Sequence, residues 1–241
     1  LSQVNQMVIA SIHPDAGPVH INCMFREPLV PSTESLDWAD PDYSIDIQQW
    51  RSQTRPWCEH LESIIHPTYE SEKEVAEIIN KAQKGVIVVG QIQSLEESEF
   101  ILRLIDELNW PFIADIQSNL RMLEHKNNLS YGDLLCQTDN LSNLDPDLIL
   151  LINSQITSKR TLKWMKSSKA SIIQLKNTHK KQDPDHNIKT ILHYSKFTQI
   201  SSLITLLCSK TNELLSDCQA INKEVDKMLN DSLSQSDSLT E

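Results

Sequence analysis

Residues 85–115 read GVIVVGQIQSLEESEFILRLIDELNWPFIAD, in which two short apolar runs enclose a longer amphipathic stretch. The β-branched run Gly85–Gly90 predicts a strand covered on both faces, because it lacks the alternation of a half-exposed strand. Ser94–Glu97 has the pattern of a capping box, and the helix predicted after it carries one buried apolar face, formed by Ile101, Leu104, Ile105 and Leu108. Pro111–Asp115 then predicts a second strand, so this part of the chain is a strand–helix–strand unit.

The same alternation of helices and strands continues on both sides of this unit. A second capping box at Ser71–Glu74 precedes a helical stripe of Val75, Ile78, Ile79 and Ala82. Further along the chain, strands are predicted at 147–152, 171–175 and near 191–192, and helices at 158–167, around Ile200–Leu207 and at 212–230. This order predicts an α/β fold with a doubly wound parallel sheet of six strands or a similar number over residues 71–210.

The segment before this domain has a different character. Apolar residues at helical spacing predict a helix over residues 1–13, and the alternation in Val19–Cys23 predicts a short strand. Residues 31–70 hold several prolines without a sustained period, which indicates a linker. We expect its three tryptophans, Trp38, Trp50 and Trp57, to anchor the linker to a neighbouring surface by ordinary packing.

Bulk composition excludes several classes of function. The net charge is −11, which argues against nucleic-acid binding and against docking on an anionic membrane. No apolar run approaches the ~20 residues that a membrane span needs. The five cysteines form no C-x-x-C pair, so we expect free thiols in a reducing compartment. Cys58 and His60 are close in sequence, but two ligands do not make a zinc site.

A dinucleotide site is the first candidate for ligand binding. Gly90 ends one predicted strand and Asp115 ends the next, which is about where a ribose-binding acid would stand. The turn after Gly90 reads Gln-Ile-Gln-Ser, however, and lacks the glycines that let a pyrophosphate approach the backbone. We therefore do not expect a bound dinucleotide.

An anion site at the start of a helix is the second candidate. The segment Ser154–Arg160 follows the strand at 147–152 and opens the helix at 158–167. Lys159 and Arg160 in a first helical turn oppose the helix dipole, which favours acidic residues there. That placement is explained if the helix amides, Lys159 and Arg160 converge on a carboxylate. The alternative is a solvated pair of charges, or a salt bridge to a neighbouring loop.

Other polar residues give weaker signals. Arg121 follows the strand that ends at Asp115, and it could face the same sheet edge as Lys159. His179, Asp183, Asp185 and His186 cluster around an Asp-Pro-Asp turn, where metal binding is the less favoured interpretation. No nucleophile has a base at a persuasive spacing, so the chain carries no predicted catalytic residue.

Four segments together resemble the MenD family of thiamine-diphosphate enzymes. They are AGPVHINCMFREPL at 16–29, NWPFIAD at 109–115, ITSKR at 156–160 and DPDH at 183–186, in family order and at family spacing. The resemblance implies a Rossmann-like central domain at 71–210. It further implies a remnant of the pyrimidine-binding domain at 1–30, a linker at 31–70, and a connector helix with the start of the diphosphate-binding domain at 211–241.

The resemblance also implies an activity. The family decarboxylates 2-oxoglutarate on thiamine diphosphate with magnesium, and adds the product to isochorismate. Lys159 and Arg160 would bind isochorismate, and Arg121 is a candidate regulatory anion site. We expect no cofactor, metal or catalytic residue in this chain, which alone would be inactive; the complete enzyme would be a homo-oligomer in bacterial cytoplasm or plastid stroma. The alternative is a regulatory or scaffold middle domain of another thiamine-diphosphate enzyme, which could bind FAD.

Overall fold

A computed structural model describes residues 2–13, 16–24, 41–61, 63–92, 94–137, 145–153, 155–178, 183 and 185–234. These residues belong to two compact units, Leu1–Ser63 and Ile64–Glu241. Some residues considered from the sequence lie outside the described part, namely 25–30, Trp38, Ser154, His179, Pro184 and 235–241. None of the described helices is long and apolar enough to cross a membrane.

The first unit contains two helices, α1 (Ser2–Ile12) and α2 (Pro41–Arg51). Helix α1 confirms the helix predicted at 1–13, although its apolar residues Val4, Val8 and Ile12 are each about half exposed. The strand predicted at Val19–Cys23 is wrong, because the described residues 16–24 form no strand. A strand is fixed by hydrogen bonds to a neighbouring strand, and the described strands all pair with one another in the five-stranded sheet.

The predicted linker contains regular structure that its sequence does not announce. Helix α2 occupies part of it, with Asp42 in its first turn and Arg51 in its last, where each charge complements the helix dipole. Trp50 of α2 and Trp57, which follows the helix, pack edge to face with ring centroids 6.0 Å apart. The Trp50 indole donates a hydrogen bond to the carbonyl of Arg55 at 3.0 Å. These two tryptophans therefore fold the segment onto itself.

The second unit is the predicted α/β domain. Its elements, in chain order, are α3 Tyr69–Lys81, β1 Gly85–Val89, α4 Leu95–Leu108, β2 Phe112–Ala114, α5 Gly132–Leu135, β3 Leu148–Ile152, α6 Lys159–Ser167, β4 Ser171–Lys176, β5 Ile188–His193, a 3-10 helix Phe197–Ile200, α7 Ser201–Ile204 and α8 Leu215–Ser234. The strands lie in the order β2-β1-β3-β4-β5, and each neighbouring pair is parallel. The described residues thus form five strands where six or a similar number were expected.

Helices cover both faces of this sheet, which confirms the doubly wound fold. On one face, Ile87 and Val89 of β1 pack in a cluster with residues of α3, α4 and the 3-10 helix. On the other face, Val86 and Val88 pack with residues of α5, α6 and α8. Both faces of β1 are therefore buried, as its unbroken apolar run predicts. Helix α8, placed in the connector by the sequence, contributes the buried Cys218 to the second cluster.

Two helix starts differ from the predicted capping boxes. Helix α3 begins at Tyr69, because the Thr68 side chain is the cap and accepts a hydrogen bond from the Ser71 amide at 3.2 Å. The cap was expected at Ser71 itself. Ser94 does cap α4, but the Glu97 side chain does not reach back to Ser94; it accepts hydrogen bonds from Asn177 and from the Phe197 amide. A tertiary contact has replaced the local one there.

Two glycines are required by close packing around β1 and β2. A Cβ atom on Gly85 would lie 2.3 Å from the Trp110 ring, and one on Gly132 would lie 2.7 Å from Ile113 Cγ2. The first contact seats Trp110 against the start of β1. The second brings α5, and with it Asp133, against β2 at the edge where the candidate site lies.

Candidate functional site

The loops after β1 and β3 meet at the carboxyl edge of the sheet, where doubly wound proteins commonly bind ligands. Here those loops are joined by hydrogen bonds from the Gly90 amide to the Ile152 carbonyl at 2.8 Å and from the Gln91 amide to the Gln155 carbonyl at 3.1 Å. The Ile92 amide is directed to the Gln117 carbonyl at 3.4 Å. A phosphate cradle needs free amides, so these described residues do not form one. The amides of Gly90 and Gln91 are therefore not available to a pyrophosphate.

Asp115, the other half of the dinucleotide hypothesis, has a structural role. Its carboxylate is buried and accepts hydrogen bonds from the amides of Thr157 at 2.7 Å, Ser158 at 3.2 Å and Gln117 at 3.1 Å. Two of these amides belong to the segment that enters α6. Asp115 therefore ties the end of β2 to the start of α6, and it is not available to hold a ribose.

Lys159 and Arg160 are the first two residues of α6, as predicted. Ser158 is the N-cap, and its hydroxyl accepts a hydrogen bond from the Thr161 amide at 3.1 Å. The first turn of α6 contains no acidic residue, whereas those of α3 and α4 each contain two glutamates. Helix α6 therefore begins with the charge that opposes its dipole, unlike the other two helices.

Arg160 forms an ion pair with Asp133, a partner that the sequence did not identify. Its Nη1 lies 3.0 Å from Oδ2 of Asp133, with half of the Arg160 side chain and about a third of the Asp133 side chain exposed. The other oxygen of Asp133 accepts a hydrogen bond from the Ser158 hydroxyl. The salt bridge foreseen as the alternative interpretation is thus present. Lys159 has no ion-pair partner among the described residues.

A cavity of about 250 Å³ opens beside this pair, at the carboxyl ends of β1 and β2. Its polar lining comprises Asp115, Arg121, Asp133, Thr157, Ser158 and Thr161. Lys159 and Arg160 do not line it; Arg160 contacts it only through Asp133. Two carboxylates face one guanidinium in this cavity, so an anion would meet repulsion inside it and attraction at the neighbouring Arg160.

Arg121 lies at the predicted sheet edge and borders two cavities. Its Nη1 donates a hydrogen bond to the Ala114 carbonyl at 3.1 Å, which holds the side chain along the end of β2. Beyond it lies a wider cavity of about 740 Å³, whose charged lining residues are Arg121, Glu124, Lys126 and Lys223. Arg121 thus stands between a predominantly acidic cavity and a predominantly basic one.

Asp183 and Asp185, two of the weaker candidates, form hydrogen bonds and an ion pair with nearby residues. Asp183 accepts hydrogen bonds from the amides of Asn187 at 3.2 Å and Ile188 at 3.4 Å, and Asp185 pairs with Lys166. Asp183 therefore shapes the turn before β5, and Asp185 joins that turn to α6. Across the described ranges, no three His, Cys, Asp or Glu side chains are grouped to hold a metal ion.

Burial lowers the reactivity of the Cys136 thiol, which lies beside the site. Cys136 lies 3.8 Å from the Thr161 hydroxyl, and burial raises its thiol pKa from 9.0 to about 11. A thiol with that pKa is almost entirely protonated near neutral pH and is a poor nucleophile. The structure thus supplies a physical reason for excluding the thiol beside α6 as a catalytic group.

The sequence did not indicate one buried carboxylate of the second unit. Glu72 is buried on α3 and accepts hydrogen bonds from Tyr194 at 2.9 Å and Ser202 at 2.6 Å. Burial, together with the neighbouring Glu72 carboxylate, raises the pKa of Tyr194 well above its usual range. Tyr194 belongs to the apolar cluster on the α3 and α4 face of the sheet, so its hydrogen bond with Glu72 stabilises the core and is not part of the candidate site.

Fold and site together define a doubly wound α/β domain with a basic helix start at the carboxyl edge of its parallel sheet. The family model described as "Middle domain of thiamine pyrophosphate" matches residues 41–241, and the chain belongs to that family of thiamine pyrophosphate enzyme middle domains.

Within this family, the chain resembles 2-succinyl-5-enolpyruvyl-6-hydroxy-3-cyclohexene-1-carboxylate synthases. It is 31% identical to that of Shewanella oneidensis over 193 residues, which is 76% of this chain and 32% of the relative. It is 26% identical to that of Chlorobaculum parvum over 218 residues, or 89% of this chain and 36% of the relative. The chain therefore spans about a third of the length of the curated relatives it matches.

A solved structure of a thiamin diphosphate-dependent enzyme from Mycobacterium smegmatis is also similar. It superposes with a TM-score of 0.42 at 15% identity, over 66% of this chain and 31% of that one.

The described residues around Gly132 do not fit a magnesium–diphosphate site. Its only Gly-Asp dipeptide, Gly132-Asp133, would be the place to look for one. Gly132 is packed against Ile113, and both oxygens of Asp133 are engaged by Ser158 and Arg160. We assign no step of thiamine diphosphate chemistry to these residues.

Proposed function

We propose that this chain is the central domain of a 2-succinyl-5-enolpyruvyl-6-hydroxy-3-cyclohexene-1-carboxylate synthase, and that its α6 start binds the carboxylates of isochorismate through Lys159 and Arg160. The similarity to curated synthases over about three quarters of the chain supports the assignment. In this proposal the chain carries only the end of the pyrimidine-binding domain and the start of the diphosphate-binding domain, and it is inactive alone.

The observation that carries the proposal is the charge at the start of α6. A lysine and an arginine in a first turn destabilise a helix by about 0.3–1 kcal/mol each. Asp133 offsets only one of them, and it does so on a half-exposed surface where an ion pair contributes about 0–1 kcal/mol. A bound carboxylate would offset the remainder, because it can accept hydrogen bonds from both side chains.

In the complete enzyme, thiamine diphosphate with magnesium would supply the decarboxylation of 2-oxoglutarate and the formation of the new carbon–carbon bond. The residues of this chain would bind and orient isochorismate. Arg160 would orient one isochorismate carboxylate with a fixed pair of N–H groups, and Lys159 would add a flexible positive charge.

The other assignments implied by the resemblance stay predictions. They are the domain boundaries at 30, 70 and 210, a homo-oligomeric complete enzyme, and a location in bacterial cytoplasm or plastid stroma. A regulatory anion site at Arg121 also stays a prediction, and the basic lining of the wider cavity beside Arg121 favours it over a surface role.

The test is Arg160→Ala in the complete enzyme. We expect the apparent KM for isochorismate to rise, or turnover to fall, by roughly ten- to a hundredfold, since a charge-assisted contact contributes about 1.5–3 kcal/mol. Decarboxylation of 2-oxoglutarate should change little, and Lys159→Ala should have a smaller effect because lysine lacks the guanidinium fork.

Lys166→Ala is the matched control, because Lys166 also forms an ion pair on α6 but lies at the other end of that helix. Its kinetics should equal those of the unaltered enzyme. Normal isochorismate kinetics in Arg160→Ala, accompanied by a lowered melting temperature, would reduce Arg160 to a structural salt bridge and refute the proposal.

A further inference from the structure

Asp133 occupies an unusual position between the cavity and the start of α6. One of its oxygens accepts the Ser158 hydroxyl, which caps the helix, and the other lies 3.0 Å from Nη1 of Arg160. The Ser158 hydroxyl in turn accepts the Thr161 amide at 3.1 Å. A single carboxylate therefore links the cap of the helix to the second side chain of its first turn.

This contact uses only part of the guanidinium. Arginine presents five N–H donors in a planar fork, and the pair with Asp133 runs through Nη1 alone. Half of the Arg160 side chain is exposed, so donors away from Asp133 can be reached from solvent. A guanidinium held at one edge loses less rotamer freedom when its other edge binds a carboxylate.

The negative charge of Asp133 has an opposing effect. It lines the cavity together with Asp115, so both carboxylates repel an anion from that side. An incoming carboxylate is left with the exposed side of Arg160. If Asp133 orients the Arg160 guanidinium, it tightens anion binding, and removing Asp133 should weaken that binding. If Asp133 instead competes as a counter-ion, removing it should tighten anion binding.

We propose that Asp133 is a positioning residue for Arg160, and that it directs the free edge of the guanidinium toward a substrate carboxylate. The proposal rests on the proposed function of Arg160. Two features support orientation over competition. Asp133 is anchored independently of Arg160 by Ser158, and it stands on α5, whose first residue Gly132 is packed tightly against Ile113. The carboxylate is therefore a fixed reference point for the guanidinium.

Two variants separate orientation from charge. Asp133→Ala removes both hydrogen bonds. Asp133→Asn keeps an oxygen for Arg160 and an N–H for the Ser158 oxygen, while it removes the negative charge. Asp185→Ala is the matched control, because Asp185 pairs with Lys166 at the other end of α6 with similar exposure.

The measurement is steady-state kinetics of the complete enzyme with isochorismate, alongside 2-oxoglutarate decarboxylation and the melting temperature of each variant. We expect Asp133→Ala to raise the KM for isochorismate about five- to tenfold without lowering the decarboxylation rate. Asp133→Asn should recover most of that loss, and Asp185→Ala should have no effect on KM. In an Arg160→Ala background, Asp133→Ala should add nothing further, because the residue would act through Arg160.

A KM that falls in both Asp133 variants would show a competing counter-ion and overturn the proposal. An unchanged KM in Asp133→Ala, with a raised KM in Arg160→Ala, would overturn the role of Asp133 and leave the proposed function intact. An unchanged KM for isochorismate together with an unchanged turnover in Arg160→Ala would overturn both.

Discussion

Replacing Asp115 with alanine removes the carboxylate that joins the end of β2 to the start of α6. The amides of Thr157, Ser158 and Gln117 then lose their acceptor. A hydrogen bond to a charged group contributes about 1.5–3 kcal/mol, and the adjoining cavity admits water that can replace part of each bond. We therefore expect the free energy of unfolding to fall by about 3 kcal/mol, which is below the simple sum.

The assay is urea unfolding of the purified chain followed by circular dichroism, with Asp147→Ala as the matched control. The Asp147 carboxylate also accepts two backbone amides, from Gln83 at 2.8 Å and Lys84 at 3.1 Å, but it is exposed. Water replaces those bonds more completely, so the control should lose only about 1 kcal/mol. If both variants lose the same amount, burial of Asp115 does not determine its contribution and the reasoning is wrong.

Two further predictions concern buried groups. Burial raises the thiol pKa from 9.0 to about 11 in Cys136 and about 12 in Cys218. The contribution of these protonated thiols to stability is therefore complete below pH 9 and is lost as the pH rises through 11 and 12. At pH 8 a thiol reagent should label Cys136 and Cys218 only after urea unfolding, whereas it should label the exposed Cys23, Cys58 and Cys208 at once. Tyr194→Phe should lower the free energy of unfolding by about 1–3 kcal/mol in urea titrations, because Glu72 keeps only Ser202 as a hydrogen-bond donor in a buried setting; an unchanged midpoint would mean that water reaches Glu72.

The five strands of the sheet and most helices could be predicted from sequence, because their signals are local. The unbroken apolar runs of β1 and β3 are buried along their whole length. The start of α6 was also correct, since Ser158 is an N-cap residue directly before a helical stretch. Local hydrogen bonds and burial on both faces determine such elements, and each produces a recognisable residue pattern within a short stretch of sequence.

Contacts between distant parts of the chain could not be predicted. Asp115 meets Thr157 across 42 residues, and Asp133 meets Ser158 across 25. Nothing in the composition around Asp133 distinguishes it from a surface aspartate. Its role depends on α5 packing against β2, which only the folded domain determines. Glu97 is a further example. Its side chain was expected to accept a hydrogen bond at the start of α4, but it accepts hydrogen bonds from Asn177 and the Phe197 amide, which are distant in sequence.

The central claim is that this chain provides the isochorismate-binding helix start of a synthase. The most direct test is to incubate the complete enzyme that carries this chain with thiamine diphosphate, magnesium, 2-oxoglutarate and isochorismate, and to follow isochorismate by chromatography. We predict that isochorismate is consumed only when 2-oxoglutarate is present, and that Arg160→Ala slows this consumption while carbon dioxide release from 2-oxoglutarate persists. A folded enzyme that releases carbon dioxide from 2-oxoglutarate but leaves isochorismate untouched would contradict it.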